Sequence, residues 1–354
     1  FPVETIEKMA PLGILGIPVP EEYEGAGANL LSYTLALEEI AYSCGSTALS
    51  LAAHTSLATL PILLNGTEEQ KRRYVPDLAS GRKLGAFGLT ESHAGSDAGA
   101  TRTRAVRDGR HYVLNGSKTY ITNASHASTF VVTARTSDAP GTRSISAFIV
   151  ERSHPGFAVG KKEDKLGLRG SDTAEILFED CRIPAENLLG KEGEGFLLFL
   201  KTLDGGRIGI GAMGVGIAEA ALDSAVQYAS VRKAFGSPLS SHGAIQAKIA
   251  DMATSIHAAR LLVYDTARRR QEKRPHTREA SMAKLFASEA AYRVTKDAIQ
   301  ILGANGYSRE FPVERFFRDV KLLEIGEGTS EIQRIVIARS VFDELKPPSK
   351  GLFQ

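Results

Sequence analysis

The chain has 354 residues, which at the usual domain size predicts two or three domains with complete cores. Hydrophobic residues make up 43% of it, charged residues 24%, and the net charge is +2, which is typical of a soluble globular protein and excludes a large basic surface for nucleic acid or anionic lipid. Two distant cysteines, Cys44 and Cys181, exclude a disulfide framework and a cysteine-based metal site. We expect no membrane span and no signal peptide; because the chain opens at Phe1 within a helical pattern, we also expect its first helix to be missing.

Residues 1–85 predict a helical N-terminal domain. Apolar residues recur at helical spacing over 3–15, 30–42 and 47–64. Thr67 and Gln70 have the spacing of a capping box, so we expect a further helix to begin there.

Residues 86–189 predict an antiparallel β domain. The segment "YVLNGSKTYIT" has two strand-like arms around Asn115-Gly116, which is the strongest short hairpin signal. Three more segments rich in β-branched residues follow and are bounded by Gly, Pro and Asp.

Residues 190–354 predict a second helical domain with the proportions of a four-helix bundle. We expect long helices over 195–230, 244–271, 277–302 and 331–345. A basic cluster, residues 268–270 with Lys273 and Arg274, is interpreted as a solvated helix end. The predicted fold class is therefore α+β and multidomain, with helical, antiparallel β and helical bundle domains in chain order.

Most short motifs have a structural interpretation. Residues 209–214 read G-x-G-x-x-G, but helix-like sequence flanks them on both sides, so we expect close helix packing rather than a dinucleotide site. No motif of a nucleotide triphosphatase, zinc protease or serine hydrolase is present. The histidines are scattered, His54 and His257 are expected to be packed between helices, and no metal site is predicted.

Two glycine-rich segments are the candidates for chemistry. The loop "FGLTESHAGSDAG" could bind phosphate or a flavin edge through its backbone N–H groups, or could be an ordinary connection. In "GEGTSEIQR", glycines flank Glu327, while Ser330 and Gln333 have capping-box spacing, so the last helix should begin near Glu331. From this segment alone, Glu327 could be a reactive carboxylate or an exposed acid in a turn.

Six segments together resemble the acyl-CoA dehydrogenase family, in its order and spacing and over nearly the whole chain. They are "FGLTESHAGSD", "NGSKTYITNA", "KLGLRGSDTAEILFEDCRIP", "LDGGRIGIGAMGVGIAEAALDSAVQYASVRKAFGSPL", "QILGANGYSREFPVERFFRDVK" and "IGEGTSEIQRIVIAR". The resemblance is closest to short-chain and branched-chain bacterial members. It implies an FAD-dependent homotetramer of fatty acid β-oxidation. The enzyme would form a trans double bond between Cα and Cβ of an acyl-CoA and pass the electrons to an electron-transferring flavoprotein.

The resemblance also implies roles for individual positions. Glu327 matches the base that removes the α-proton, while flavin N5 accepts the β-hydride. The implied substrate contacts are Ser96, Asp204, Arg207 and Gly328. The implied FAD contacts are Phe87, Leu89, Thr90, Gly95, Ser96, Tyr120, Ile121, Thr122, Arg232, Phe235, Gln300, Ile301, Gly303, Thr329, Ser330 and Glu331, with Arg232 and Phe235 reaching FAD from the adjacent subunit.

Three glycines occupy positions at which some or many relatives carry a functional side chain, and Ser92 and His93 depart from the proline and the glycine or alanine that many members have there. Gly206 occupies the position at which some relatives carry a second base, so Glu327 is the single candidate. Gly243 replaces a glutamine that commonly contacts FAD, and Gly326 replaces a tyrosine that commonly precedes the base. For this reason the acyl chain length is left open.

Other functions of the same sequence were weighed. They are a related flavoenzyme acting on carrier-protein-bound acyl groups, a flavin oxidase, and a flavin-free scaffold with the same fold. The expected location is the cytoplasm of a bacterium, or the mitochondrial matrix in a eukaryote.

Overall fold

A computed structural model describes residues 1–345. Helices form the first and last parts of the chain, and one large sheet lies between them. The helices are α1 Val3–Met9, α2 Leu30–Ser43, α3 Gly45–Ala52, α4 Leu60–Asn65, α5 Glu68–Ala79, α6 Gly195–Val231, α7 Gly243–Gln271, α8 Thr277–Leu302, α9 Ala304–Tyr307, α10 Val313–Val320 and α11 Ser330–Leu345. The predicted N-terminal helical, middle sheet and C-terminal helical order is confirmed.

The N-terminal helices differ locally from their predicted forms. The first helix ends at Met9 and continues as short 3₁₀ turns, and the predicted capping box at Thr67 and Gln70 is confirmed. Between α3 and α4 the chain widens into a π-helical turn, Ala53–Thr59. The buried His54 in this turn donates from Nε2 to the Leu78 carbonyl and accepts at Nδ1 from the Gly85 N–H, so it joins the helices to the first strand. Burial lowers the pKa of His54 to about 4, in keeping with a neutral packed ring.

The middle region forms one eight-stranded sheet. Its strands are β1 Gly85–Gly88, β2 Arg104–Asp108, β3 His111–Thr122, β4 Thr129–Arg135, β5 Ile145–Glu151, β6 Phe157–Lys162, β7 Thr173–Pro184 and β8 Leu188–Leu189. The strand order is β6-β7-β3-β2-β4-β5-β8, with β1 paired to β4. Most pairs are antiparallel as predicted, but β4 pairs in parallel with both β1 and β2.

The predicted hairpin at Asn115-Gly116 is wrong. Strand β3 runs through both residues, and the chain turns instead at Gly109-Arg110, between Asp108 and its partner His111. Asn115 accepts from the Asp180 N–H of β7 and donates to the Asp180 carboxylate, while the ladder shifts register beside it. The Asn-Gly pair is therefore a bulge within a strand.

The C-terminal helices pack as a bundle around α6. All four long helices are confirmed to within one residue at each end, and a small hairpin of β9 Lys233–Ala234 and β10 Ser237–Pro238 lies between α6 and α7. The glycines of the G-x-G-x-x-G stretch lie inside α6 against neighbouring helices. A Cβ at Gly211 would lie 2.8 Å from Val263, and one at Gly214 would lie 3.1 Å from the Ala287 carbonyl oxygen. The helix-packing interpretation is confirmed.

Two helical stretches are long and apolar enough to cross a membrane, which the sequence analysis did not anticipate. They are 45–65 and 195–231, and 89% and 78% of their apolar windows are buried within the fold. Such burial is typical of the core helices of a globular protein. The predicted domain boundaries, 1–85, 86–189 and 190–354, stay predictions, and residues beyond 345 lie outside the described part of the chain.

Candidate active site

Glu327 lies in the short link between α10 and α11. Its backbone has a φ of +55°, a left-handed conformation that is uncommon for a residue with a side chain, and Gly328 follows at +96°. The side chain is turned inward, and its Oε2 is buried without a hydrogen-bond partner in the described structure. An unusual backbone that directs an unpaired carboxylate into the protein is typical of a functional site.

The entrance to α11 is capped differently from the prediction. Thr329 supplies the cap, since its hydroxyl accepts from the Ile332 N–H, while the Ser330 hydroxyl is buried and unpaired. Gln333 does not reach back to the Ser330 N–H as a capping box requires. Its Nε2 donates to the carbonyl oxygens of Glu327 and Gly328, at 3.2 and 2.8 Å. The helix therefore begins at Ser330, and its first turn holds the backbone that carries the carboxylate.

The Glu327 carboxyl has the electrostatics of a general base. Burial raises its pKa to about 7, although the nearby positive charges of Lys284 and Arg207 lower it. A carboxylate with a pKa near neutrality can accept a proton at neutral pH and hold it. Because Oε2 has no protein partner, the group is free to meet a proton on a bound molecule.

Gly206 of α6 faces the same carboxylate. A Cβ at this position would overlap the Glu327 carboxylate, lying 2.7 Å from Cδ, and would lie 2.9 Å from Leu57 Cδ2. Any side chain at 206 would therefore compete with Glu327 for space. The sequence alone shows that this position cannot hold a second base. The structure adds that the absence of a side chain at Gly206 leaves the space that the Glu327 carboxylate occupies.

Asp204 and Arg207 form an ion pair on α6 near Glu327. Arg207 Nη1 donates to Asp204 Oδ1 at 2.7 Å and to the Ser281 hydroxyl at 3.3 Å, and the Thr277 hydroxyl donates to Asp204 Oδ2. Arg207 is 4% exposed, and its Nε is buried and unpaired. The structure thus brings together four of the predicted catalytic and substrate positions: Glu327, Gly328, Asp204 and Arg207.

Lys284 of α8 completes this cluster and was not predicted. It is fully buried, and its ammonium donates to the Gly328 carbonyl oxygen at 2.6 Å. Burial lowers the pKa of Lys284 to about 8, while the negative charge of Glu327 raises it, so the ammonium stays mainly charged at pH 7. A single lysine within a helical pattern gives no sequence signal of such a role.

A buried ion pair between Lys118 and Glu91 fixes the loop that follows β1. Lys118 Nζ donates to Glu91 Oε1 at 2.7 Å, to the Leu89 carbonyl oxygen, and to the hydroxyls of Thr101 and Thr133. Glu91 also accepts from the backbone N–H groups of residues 102 and 103. Burial alone would raise the pKa of Glu91, but these charges and donors outweigh it and lower the pKa to about 2.

The predicted flavin residues of the middle region lie in two adjacent segments, the end of β1 with the loop after it and the end of β3. The Thr119 N–H donates to the Thr90 carbonyl oxygen, so the loop and the end of β3 lie side by side. Phe87 stacks on Phe199 at 4.3 Å between ring centroids. Tyr120 is 66% exposed with a φ of +59°. Of the remaining predicted positions here, Leu89 and Thr122 are half-buried, Gly95 and Ser96 are exposed, and Ile121 is buried.

A second group of predicted flavin residues lies elsewhere on the chain. Arg232, Ile301 and Gly303 line a cavity of about 270 Å³ that shares no residue with the Glu327 cluster. Phe235 is fully exposed at the tip of the β9–β10 hairpin, and Gln300 is exposed on α8. Within one chain, the structure therefore does not bring this group to Glu327.

Three further expectations can be compared with the structure. His54 is packed as expected, but His257 is exposed on α7. A Cβ at Gly243 would meet no atom within 4 Å, and one at Gly326 would only be in ordinary contact with Leu322. No cluster of three or more metal-ligating side chains occurs within residues 1–345.

A mostly antiparallel sheet between an N-terminal and a C-terminal helical domain is the architecture of acyl-CoA dehydrogenases. Family models for the N-terminal, middle and C-terminal domains of acyl-CoA dehydrogenase match residues 1–82, 86–181 and 193–342. The chain is 56% identical over 342 residues to probable acyl-CoA dehydrogenase YngJ of Bacillus subtilis (strain 168), covering 96% of this chain and 90% of that protein. The chain belongs to the acyl-CoA dehydrogenase family.

Two solved structures are similar over the same extent. A chain in the study of the electron transferring flavoprotein of Acidaminococcus fermentans superposes with a TM-score of 0.95 at 50% identity, covering 97% of this chain and 90% of that one. Butyryl-CoA dehydrogenase from Megasphaera elsdenii superposes with a TM-score of 0.94 at 47% identity, covering 96% and 90%. The predicted family and fold are confirmed.

Proposed function

We propose that this chain catalyses the FAD-dependent α,β-dehydrogenation of a short acyl-CoA thioester, with Glu327 as the base. The observation that carries the proposal is the half-buried Glu327 side chain, whose Oε2 is buried and unpaired and whose pKa is raised by burial to about 7. An α-proton of a thioester is weakly acidic, so its removal needs a well-placed base of matched pKa in a dry site. The family and its butyryl-CoA relative support the reaction and a short substrate.

FAD is the cofactor of this reaction, and the residues present are suited to it. The buried hydroxyls of Thr119, on β3 next to the Thr90 loop, and of Ser330, at the start of α11, have no protein partner, as expected of groups that await a polar ligand. The cavity at Arg232 and Gly303 offers a guanidinium for a phosphate group. When bound, FAD supplies the acceptor for the hydride that leaves Cβ.

The protein's own part is to place the substrate and take the proton. Glu327 would accept the α-proton at its free Oε2. Gln333 holds the carbonyl oxygens of Glu327 and Gly328, and Lys284 holds that of Gly328. The Glu327 N–H makes no hydrogen bond among the described residues and would donate to the thioester carbonyl. Gly206 leaves the space that the carboxylate occupies, while the Asp204–Arg207 pair anchors the start of α6 against α8. Ser96 and Gly328 would contact the substrate directly.

The second group of FAD residues supports a homo-oligomer, and we propose a tetramer. Phe235 is fully exposed and Arg232 faces a cavity remote from the base, so each would serve the FAD of a neighbouring subunit. The electron acceptor is an electron-transferring flavoprotein, which the similarity to the Acidaminococcus structure supports. We place the enzyme in the cytoplasm of a bacterium, or in the mitochondrial matrix if the source is eukaryotic.

Anaerobic titration of the purified holoprotein with butyryl-CoA tests the reaction. Bleaching of the flavin absorbance, with formation of the trans-2-enoyl-CoA, is the expected result. Recovery of the absorbance on adding an electron-transferring flavoprotein, but not on adding air, separates a dehydrogenase from an oxidase. Bleaching only by acyl groups on a carrier protein would instead favour the carrier-dependent alternative.

A further inference from the structure

The basic cluster at the end of α7 was predicted to be solvated, but Arg270 is an exception. Arg268 and Arg269 pair with Asp265 on the surface of α7. Arg270 instead turns inward, and its guanidinium packs against the backbone of Gly205 on α6. A Cβ at Gly205 would overlap the guanidinium and lie 2.6 Å from Nη2. The Arg270 guanidinium therefore occupies the space that a side chain at position 205 would need.

The Arg270 charge has no partner in the described structure. Its Nη1 is buried without a hydrogen bond, and no carboxylate of residues 1–345 lies within ion-pair distance. Burial lowers the pKa of Arg270, and Tyr33 and then Asp204 raise it, but both oxygens of Asp204 are already bonded to Arg207 and Thr277. Arg270 as a whole is half-buried, but a cation whose Nη1 is buried without an acceptor is unfavourable, so an anion supplied from outside the chain would satisfy it.

Tyr33 lies beside the same space with a second unsatisfied group. It is 3% exposed, and its hydroxyl has no hydrogen-bond partner. Burial raises the pKa of Tyr33, the nearby hydroxyls of Ser56 and Thr55 and the Arg270 charge lower it, and the Glu327 charge raises it. Ser56 and Thr55 donate to backbone carbonyl oxygens and leave the Tyr33 hydroxyl without a hydrogen bond. The hydroxyl is thus close enough to sense both the base and the guanidinium.

The two glycines place Arg270 next to the reaction. Gly205 contacts the Arg270 guanidinium and Gly206, the next residue of α6, contacts the Glu327 carboxylate. The Cα of a substrate must meet Glu327, so the rest of a short acyl chain extends from there within the same small region. The end of the acyl chain opposite the thioester is then the part of the substrate that can reach Arg270 and Tyr33.

We infer that the preferred acyl group ends in a carboxylate, bound by Arg270 Nη1 and the Tyr33 hydroxyl. The substrate class is the mono-CoA thioester of a short dicarboxylic acid. This inference rests on the proposed function and names the substrate of the same site. An unsubstituted acyl chain would place its methyl end against an unpaired guanidinium, whereas a terminal carboxylate pairs with the charge and accepts from both donors.

Matched acyl-CoA pairs of equal length test the inference. The wild-type holoprotein is reduced anaerobically with succinyl-, glutaryl- and adipyl-CoA and with butyryl-, pentanoyl- and hexanoyl-CoA. We expect kcat/KM for at least one dicarboxylic ester to exceed that of its unsubstituted partner. We expect Arg270→Leu to lower this ratio by about 30-fold or more, as for loss of a buried charge pair, while Arg268→Leu leaves it unchanged.

Gly205→Ala provides a second variant in case Arg270→Leu does not fold, because its methyl group displaces the guanidinium while keeping the charge. We expect it to lower the same ratio. Reduction only by unsubstituted esters, or a ratio unaffected by both variants, would overturn the inference and leave the proposed dehydrogenase standing. Failure of all six esters to bleach the flavin would overturn both.

Discussion

Lys284 donates a hydrogen bond to the carbonyl oxygen of Gly328, the residue that follows the base. The two residues are 44 positions apart and belong to α8 and the entrance of α11. Gln333 shares the same carbonyl oxygen and also bonds that of Glu327. The left-handed backbone of the base is thus fixed by two side chains that have no direct contact with its carboxylate.

Lys284→Met should affect both the placement and the pKa of the base. In the wild type we expect kcat/KM to rise as the pH is raised through about 7, because Glu327 must be ionised to accept a proton. The Lys284 charge lowers the pKa of Glu327, so its removal should move this rise to higher pH, and loss of the hydrogen bond should lower kcat.

Lys284→Gln is the matched control, since an amide can still donate to Gly328 without a charge. We expect it to show the shifted pH profile with a smaller loss of kcat. A profile that does not move in either variant would mean that Lys284 has no electrostatic influence on the base.

Gly206→Ala should displace the Glu327 carboxylate, because the added methyl group occupies its place. A displacement of about 1 Å can cost about 100-fold in rate, so we expect kcat to fall by 10- to 100-fold with FAD still bound. Gly209→Ala is the control on the same helix, where the new methyl group would lie 3.2 Å from the end of the Leu37 side chain and in ordinary contact with Ala52 Cβ. Equal activity of the two variants would contradict the steric role of Gly206.

Lys118→Met should destabilise the middle domain and weaken FAD binding. The change leaves Glu91 buried without its cation, for which we expect a loss of about 3–5 kcal/mol in the free energy of unfolding. The urea midpoint and the fraction of flavin retained on dilution measure the two effects. In Lys118→Met/Glu91→Leu no charge is left unpaired, so part of the stability should return; no recovery would contradict the pairing.

The same pair gives the wild type a pH dependence at low pH. The pKa of Glu91 is lowered from 4.5 to about 2 in the folded protein. A carboxylate with a depressed pKa contributes stability above its ordinary pKa, and that contribution is lost as the pH falls from 4.5 towards 2. The urea midpoint of Lys118→Met/Glu91→Leu should therefore depend less on pH over this range than that of the wild type.

Strong periodicity made much of the fold predictable from sequence. The helix Thr277–Leu302 was predicted at its observed bounds because its apolar spacing is sustained over many turns. Asn115-Gly116 was misassigned because its turn preference is local. Side-chain bonds between Asn115 and Asp180 hold the pair in a strand, and only the fold brings Asp180 there.

The candidate site was predictable only in part, for a related reason. Glu327 and its flanking glycines form a contiguous motif, so its role could be inferred from the family pattern. Lys284 and Arg270 lie in ordinary helical sequence, and their roles depend on what the tertiary structure places opposite them. The basic run at 268–270 shows this limit, because one of its three arginines, Arg270, is half-buried and packs its guanidinium against Gly205.

Comparison of Glu327→Gln with the wild type tests the central claim most directly. The amide keeps the size of the side chain but cannot act as a base, so we predict that the variant binds FAD and butyryl-CoA. Its rate of anaerobic flavin bleaching should fall by at least about 100-fold, at the level expected for loss of a general base. Bleaching at the wild-type rate would show that another group removes the α-proton and would contradict the account.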